Sequence, residues 1–470
     1  MSGSPFLTAY PTYVNTGGLD ELRDREYGYL DARGHVYLDY TGSGLPSRAQ
    51  LEAHADRLRN EVFGNPHSEN PTSSAATALV DRTRAAILSY FNASPEEYAV
   101  IFTANATGAC RLVAEAYPFE PGSRLVLTAD NHNSVNGIRV YARARGLAPT
   151  YIPLEAAGLR VSPDVVQATL GTGHGLFAFP AQSNFTGVQH PLSWVPLAQA
   201  YGYDVLLDAA AYVPTNRLDL GAVHPDFVPV SWYKVFGYPT GVGCLIARWE
   251  ALARLRRPWF AGGTIKAVSA FGDWHVLAAD ETAFEDGTLN FLGIPDVMVG
   301  LAWVAGIGID VISQRVTCLT GWLLDRLREL RHENGAPLVR MYGPWATDGR
   351  GATVALNILT PDGDVVDERV VGRDAAALNI SLRTGCFCNP GAGEGAFAIA
   401  RDALTGPVAR AELSLDEYLS TLGLPSGGAV RVSLGLASNL ADVEAFIDFV
   451  ARTYRDRRPD CTGLSPRVRC

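Results

Sequence analysis

Lysine is almost missing from this 470-residue chain. Among 39 basic side chains only Lys234 and Lys266 are lysines; the rest are arginines. Arginine supplies charge, but its guanidinium stays protonated and cannot attack a carbonyl. Any imine chemistry therefore falls to two residues. Long apolar runs are missing too. None reaches the ~18 residues expected of a membrane span. Residues 1–16 lack the basic and then apolar pattern of an export signal. The expectation is a cytoplasmic protein with no membrane partner. A net charge of −10 gives no reason to expect nucleic-acid binding. The seven cysteines form an odd set without regular spacing, which does not outline a disulfide framework. Cys386-Phe387-Cys388 is one residue short of C-x-x-C. No second Cys/His pair stands near it, so no zinc site is expected. Internal repeats and low-complexity tracts are absent.

What is present describes a globular chain, 47% hydrophobic and 19% charged. Its length suggests two domains. Short apolar runs at 100–103, 124–128, 176–180, 205–208, 227–231 and 244–247 read as strands buried on both faces. Helical patterns separate them. One spans 76–91, with Val80, Thr83, Ile87 and Phe91 on one face and Arg82, Arg84 and Ser89 elsewhere; another spans 107–117. This alternation predicts an α/β layer with a mainly parallel sheet. After about Gly306 the texture changes. A helix at 311–330, strands at 354–359 and 429–433, and helices at 366–377 and 440–454 suggest a smaller α+β domain. The predicted division is an N-terminal segment 1–35, a large domain 36–305 and a small C-terminal domain 306–470. The tail 455–470, with Cys461 and Cys470 among arginines, reads as a disordered end, the other reading being a mobile sulfur relay.

Lys234 stands where the apolar run 227–231 gives way to a glycine-rich turn. A lysine that carries pyridoxal phosphate (PLP) as a Schiff base needs three kinds of helper. An acid must face the pyridine nitrogen: Asp208 closes the run 205–208, where open α/β sheets place ligands. An anion site must hold the phosphate: Asn105-Ala106-Thr107-Gly108 opens a helix after a strand, and Ser231 adds a hydroxyl. Something must cover the ring: His132 follows the strand 124–128, and Asn184 follows another and suits the phenolic oxygen. Each has a plain alternative: a helix cap for Asp208, a structural histidine for His132.

Together these segments resemble the class V aminotransferase group of fold-type I PLP enzymes, in its cysteine desulfurase branch. Within that branch they are similar to the N-terminal desulfurase domain of molybdenum cofactor sulfurases. The most specific stretches are Pro180-Ala181-Gln182-Ser183-Asn184-Phe185, the Asp208 and Lys234 segments, Phe284-Glu285-Asp286-Gly287-Thr288, and Arg383-Thr384-Gly385-Cys386-Phe387-Cys388-Asn389-Pro390-Gly391-Ala392. The resemblance implies a large domain with a mainly parallel, seven-stranded type of sheet and a smaller C-terminal domain. It implies conversion of L-cysteine to L-alanine, with sulfur left as a persulfide and passed to an acceptor protein or small molecule. It assigns the Schiff base to Lys234, the pyridinium contact to Asp208, ring stacking and proton handling to His132, and the ring oxygen to Asn184. Phosphate falls to Ala106, Thr107 and Ser231. Thr264 would reach the phosphate of a neighbouring subunit, which implies a homodimer. Arg431, or as second choice Arg383, holds the substrate carboxylate, with Asn184 beside it. Cys388 takes the nucleophile position and Cys386 is its rival. The family pattern continues Gly-Ala-Cys where this chain has Gly391-Ala392-Gly393. A lyase or aminotransferase acting on another amino acid, without a persulfide, is the alternative.

Overall fold

The computed structural model describes residues 4–66, 68–171, 173–405, 413–424 and 426–467. Its centre is a seven-stranded sheet of β2 (Tyr98–Thr103), β3 (Arg124–Thr128), β4 (Thr150–Ile152), β5 (Gly175–Pro180), β6 (Tyr203–Asp208), β7 (Phe227–Ser231) and β8 (Gly243–Arg248). Across the sheet the order is β2-β8-β7-β6-β5-β3-β4, and only β8 runs antiparallel to its neighbours. Side chains alternate between two cores because successive Cβ atoms point to opposite faces. Val126, Phe177, Val205, Val228 and Ile246 enter one core. Leu125, Leu176, Leu206, Phe227 and Leu245 enter the other. Burial on both faces explains why these strands read as unbroken apolar runs.

The helix predicted over 76–91 spans Pro71–Tyr90, with Asn70 as its cap. Arg84 does not lie on its solvent side. It is buried and pairs with Glu285 through two contacts of 2.8 Å, while Glu285 also accepts the Phe102 N–H at 2.7 Å. The motif around Glu285 therefore fastens this helix to the sheet. Burying such a pair costs desolvation, which the bidentate geometry and the third hydrogen bond offset.

A left-handed Gly308 (φ 93°) separates the helix Ile294–Ile307 from the helix Ile309–Glu329 and turns the chain into a second core. There an antiparallel sheet has the order β11 (Val339–Tyr342), β12 (Thr353–Ile358), β15 (Ala429–Ser433), β14 (Arg383–Gly385). The helices Ile309–Glu329, Glu368–Ala377 and Leu440–Tyr454 contribute Leu323, Val370 and Phe446 to the same core as Val354, Leu356 and Val432. The N-terminal segment joins it. Phe6 is buried in this core, and Arg23 donates to Asp442 at 2.6 Å. The short β1 (Val36–Tyr37) pairs in parallel with β13 (Ile380–Ser381), so the residues that open the predicted large domain are stitched to the small one. Residues 1–35 are thus no separate unit where they are described.

A further hairpin, β9 (Ile265–Ser269) and β10 (Trp274–Leu277), stands clear of both cores. Lys266 lies exposed on it, which leaves Lys234 as the lysine associated with the core. The tail is another correction. Arg467 is tied to Asp367, Glu368 and Asp416, and Ser465 accepts from Arg369. Three carboxylates around one guanidinium dock the tail on the small domain. Cys461 is exposed, and Cys470 lies outside the described residues. No single helix among the described residues is long and apolar enough to cross a membrane.

Candidate functional site

The ends of β2, β3, β5, β6 and β7 meet at one edge of the large sheet, the carboxyl edge where open α/β folds bind ligands. β7 ends at Ser231, and Lys234 follows on a single helical turn, Trp232–Phe236. The Trp232 indole is fully buried and stacks on Phe236 with ring centroids 5.9 Å apart. The Gly44 N–H donates to the Tyr233 carbonyl at 2.9 Å. The turn is therefore fixed from both sides. Burial lowers the Lys234 ammonium below the ordinary lysine range; the Asp208 carboxylate opposes that shift, and Arg431 and Arg383 add to it. A lysine with a lowered pKa is a better nucleophile near neutral pH. Asp208 is the last residue of β6 and is buried. Its Oδ1 accepts the Ala210 N–H at 3.0 Å. That bond uses one oxygen of the carboxylate, and no hydrogen bond to the other is formed among the described residues.

Asn105 caps the helix Ala106–Ala116 by accepting the Gly108 N–H at 3.0 Å. Ser231 Oγ accepts the Ala106 N–H at 2.8 Å. The predicted phosphate residues of two distant segments therefore touch. The Thr107 hydroxyl, on the exposed first turn, lies 2.7 Å from Ser134 Oγ. Ser134 in turn orients His132: its backbone N–H donates to His132 Nδ1 at 3.1 Å, and its Oγ lies 2.9 Å from the same nitrogen. A backbone N–H can only donate, so Nδ1 is an acceptor and the neutral ring carries its proton on Nε2. Burial, reinforced by Lys234, pushes His132 down from 6.5 to about 4. Its linkage has a definite sign. The unfolded chain takes up this proton near pH 6.5 and the folded chain only near pH 4, so stability is lost as pH falls through that window. Denaturant titrations between pH 7 and pH 4 are expected to show a smaller acid loss in His132→Gln than in the parent.

The cysteine loop is built against the same edge. The Asn133 N–H donates to the Cys388 carbonyl at 2.7 Å, one residue from His132. Asn184 Nδ2 donates to the Phe387 carbonyl at 2.8 Å. Asn389 Nδ2 bridges Asn184 Oδ1 (2.8 Å) and the Asp130 carbonyl (2.7 Å). Phe387 and Cys388 both adopt left-handed backbone, φ 57° and 54°. Such residues cost roughly 1–3 kcal/mol each and persist where surrounding contacts over-determine them, as these three amides do. Gly391 completes the fit: a Cβ there would lie 2.1 Å from the Ala129 carbonyl oxygen at the end of β3. Cys388 is exposed and free, whereas Cys386 is disulfide-bonded.

Arg431 lies on β15, and its cross-strand partner on β14 is Arg383. Arg431 is buried. It donates to the Asn184 carbonyl at 3.1 Å and to Asp39 Oδ1 at 3.0 Å, and its guanidinium lies 4.8 Å from the centre of the Phe387 ring. Burial pushes it down to about 10 despite Asp39. Its Nε has no hydrogen-bond partner among the described residues. A buried donor left unpaired costs free energy that an anion beside it would recover. Arg383 is half-exposed and committed to Asp39, which makes it the weaker candidate.

Two of the expected site residues have further partners in this chain. Asn184 was assigned to a ring oxygen, yet its amide already clamps the cysteine loop, leaving one N–H for a ligand. Thr264, expected to reach a neighbouring subunit, has only its own chain around it here. It is fully buried and hydrogen-bonds to Ala261, at the base of the exposed hairpin. Three residues were missed: Asp39, Ser134 and Asn389. Asn389 directly follows Cys388 in a stretch that carries the resemblance, and Ser134 stands two residues after His132. Their long-range partners have no sequence signature.

Fold and site place Lys234 at the carboxyl edge of a mainly parallel sheet, with a hydrogen-bonded cysteine loop built against the same edge. The aminotransferase class-V family model matches residues 36–446, and the chain belongs to that family. It is 37% identical over 460 residues to the molybdenum cofactor sulfurase of Homo sapiens, covering 93% of this chain and 51% of that protein. It is 36% identical to the Arabidopsis thaliana molybdenum cofactor sulfurase, covering 93% of this chain and 58% of that protein. The chain thus spans about half the length of the curated relatives it matches. Among solved structures, it resembles an apo cysteine desulfurase from Thermococcus onnurineus NA1 with a TM-score of 0.76 and 24% identity, covering 92% of this chain and 97% of that one. It also resembles the cysteine desulfurase CsdA of Escherichia coli, with a TM-score of 0.73 and 21% identity, over 92% and 98% of the two chains. At these identities the structures support the fold.

Proposed function

We propose that this chain is a PLP-dependent cysteine desulfurase. One observation carries the reading. A nucleophile-prone lysine, a free exposed cysteine on a clamped loop and a buried arginine with an idle donor are gathered at one sheet edge. The donor set fits the cofactor. Lys234 suits its aldehyde, and Asp208 has one oxygen left for a protonated ring nitrogen. The capped helix start at Ala106 and Thr107, with Ser231 behind it, suits a dianion, and neutral His132 suits a ring face. When bound, PLP supplies an electron sink for the pair released at the substrate Cα.

The residues of the chain supply the rest. Arg431 holds the carboxylate of L-cysteine and so orients its Cα–H and Cβ–S bonds. Lys234 Nζ takes the Cα proton. Cys388 Sγ, as thiolate, attacks the substrate sulfur: an S–S bond forms at Cys388 and the Cβ–S bond of the substrate breaks. Cβ gains a proton, and L-alanine leaves. The overall change is L-cysteine plus a thiol to L-alanine plus a persulfide, with no external oxidant. The persulfide sulfur then passes to an acceptor thiol or small molecule. The test is to incubate the pure protein with L-cysteine and quantify alanine and sulfide with and without dithiothreitol. Equal alanine and sulfide with the thiol present, and little sulfide in its absence, is expected. Consumption of L-cysteine without alanine contradicts the reading.

The working form is proposed to be a homodimer. Phe271 is fully exposed at the hairpin tip, and Val268, Trp274 and Val276 are about half-exposed on its strands. An apolar β-ribbon left in water is a marker of association, and Thr264 lies at its base. Light scattering is expected to give twice the chain mass for the parent and the single-chain mass for Phe271→Glu.

A further inference from the structure

Asp39 does nothing in the chemistry proposed above, yet it sits between the two arginines of the carboxylate site. Its Oδ2 accepts Arg383 NH2 at 2.6 Å, and both its oxygens accept Arg383 Nε, at 3.0 and 3.1 Å. Its Oδ1 also accepts Arg431 NH2 at 3.0 Å. Arg383 and Arg431 are direct cross-strand partners, so their side chains leave the sheet on one face. Unshielded, two like charges at that spacing repel and splay. The carboxylate stands between them and fixes where each points.

The backbone around Asp39 is fitted to this contact. A Cβ at Gly42 would lie 2.5 Å from Arg383 NH2 and 2.5 Å from Asp39 Oδ2, so a side chain there could not coexist with the ion pair. The segment itself is pinned to β15. Asp39 forms a parallel bridge with Ser433, and the Thr41 N–H donates to Ser433 Oγ at 2.9 Å. Asp39 and Arg431 thus sit on backbones locked in register two residues apart. Charge decides the rest. Two guanidiniums and one carboxylate leave one positive charge in excess. The idle Nε belongs to Arg431, the buried partner, which faces Asn184 and Phe387. The cluster therefore carries one uncompensated positive charge, beside a buried donor without a partner among the described residues.

We infer that Asp39 is the positioning residue of the substrate-carboxylate site: it holds Arg431 and Arg383 in place so that one further carboxylate, and no second, is accepted at Arg431. This deepens the reading of Arg431 given above and rests on it. Among the described residues the Asp39 carboxylate hydrogen-bonds to the Arg383 and Arg431 side chains, so its loss acts first on amino-acid recognition.

The test uses the cofactor-loaded full chain and two probes, L-cysteine and cysteamine, which has the same amine and thiol but no carboxylate. Asp39→Asn keeps the size and removes the charge. It is expected to raise KM for L-cysteine by about tenfold or more, the scale of one charge-assisted hydrogen bond, with kcat changed by less than about threefold. Cysteamine binding, followed by the cofactor absorbance, is expected to shift far less, so the preference for L-cysteine over cysteamine collapses. Asp39→Glu keeps the charge and is expected to recover part of that preference. Equal weakening of both probes, or an unchanged preference, overturns the inference and leaves Asp39 a structural tie. Arg431→Ala separates the two levels. If it leaves the preference intact, the carboxylate is held elsewhere and the reading of Arg431 fails. If it abolishes the preference while Asp39→Asn does not, only the role of Asp39 fails.

Discussion

Lys234→Ala is expected to abolish alanine formation from L-cysteine, with a loss of at least about 10²-fold even if the cofactor still binds through its phosphate. The physical case is the scarcity and the setting of this amine. Lys266 is exposed on the outer hairpin and cannot substitute. Lys234 is held on a turn locked by buried Trp232 and by the hydrogen bond from Gly44, and burial lowers its pKa. No arginine near it can take the Cα proton, because a guanidinium has no free base at neutral pH. The variant should keep its fold, since the Lys234 ammonium has no hydrogen-bonded partner to orphan among the described residues. Circular dichroism and the melting temperature check that point. Turnover within tenfold of the parent rules out Lys234 as the base.

The second large effect is at sulfur. Cys388→Ala is expected to lose persulfide formation and desulfuration together, while the cofactor absorbance and its response to L-cysteine persist. Cys386→Ala is expected to retain both, because Cys386 already has its sulfur in a disulfide and Cys388 has a free, exposed thiol. Mass spectrometry of the loop peptide after one turnover distinguishes them by which cysteine gains a sulfur atom. A clamped loop also bears on delivery. The amides of Asn133, Asn184 and Asn389 hold Phe387 and Cys388 in left-handed backbone, so the acceptor must come to Cys388. Asn389→Ala removes the amide that links Asn184 to the Asp130 carbonyl. It is expected to slow persulfide formation while leaving cofactor loading intact.

The strands were legible because burial on both faces leaves continuous apolar runs. β7 and β15 span the residues expected of them, and the ends of β2, β5 and β6 moved by one or two residues. The lysine, the aspartate and the helix cap could be read because each is announced by a strand end. What escaped depends on contacts that sequence distance hides. Asp39 and Arg431 are 392 residues apart, and their meeting depends on a parallel bridge beside β15. Asn184 looked like a ligand residue because it follows a strand; that its amide clamps a loop 203 residues away was invisible. The hairpin β9–β10 was missed because both its faces are exposed, so it lacks the period-two pattern that marks a half-buried strand. The tail looked disordered because its anchor is a single arginine, and three carboxylates brought together by folding cannot be counted in a sequence.

The proposed chemistry begins at one amine. The direct measurement is borohydride reduction of the cofactor-loaded protein, followed by proteolysis and mass spectrometry of the peptides. The reduced pyridoxal phosphate adduct is expected on Lys234, in the peptide that contains Trp232 and Phe236. An unmodified Lys234, with the adduct on Lys266 or on no lysine, contradicts it.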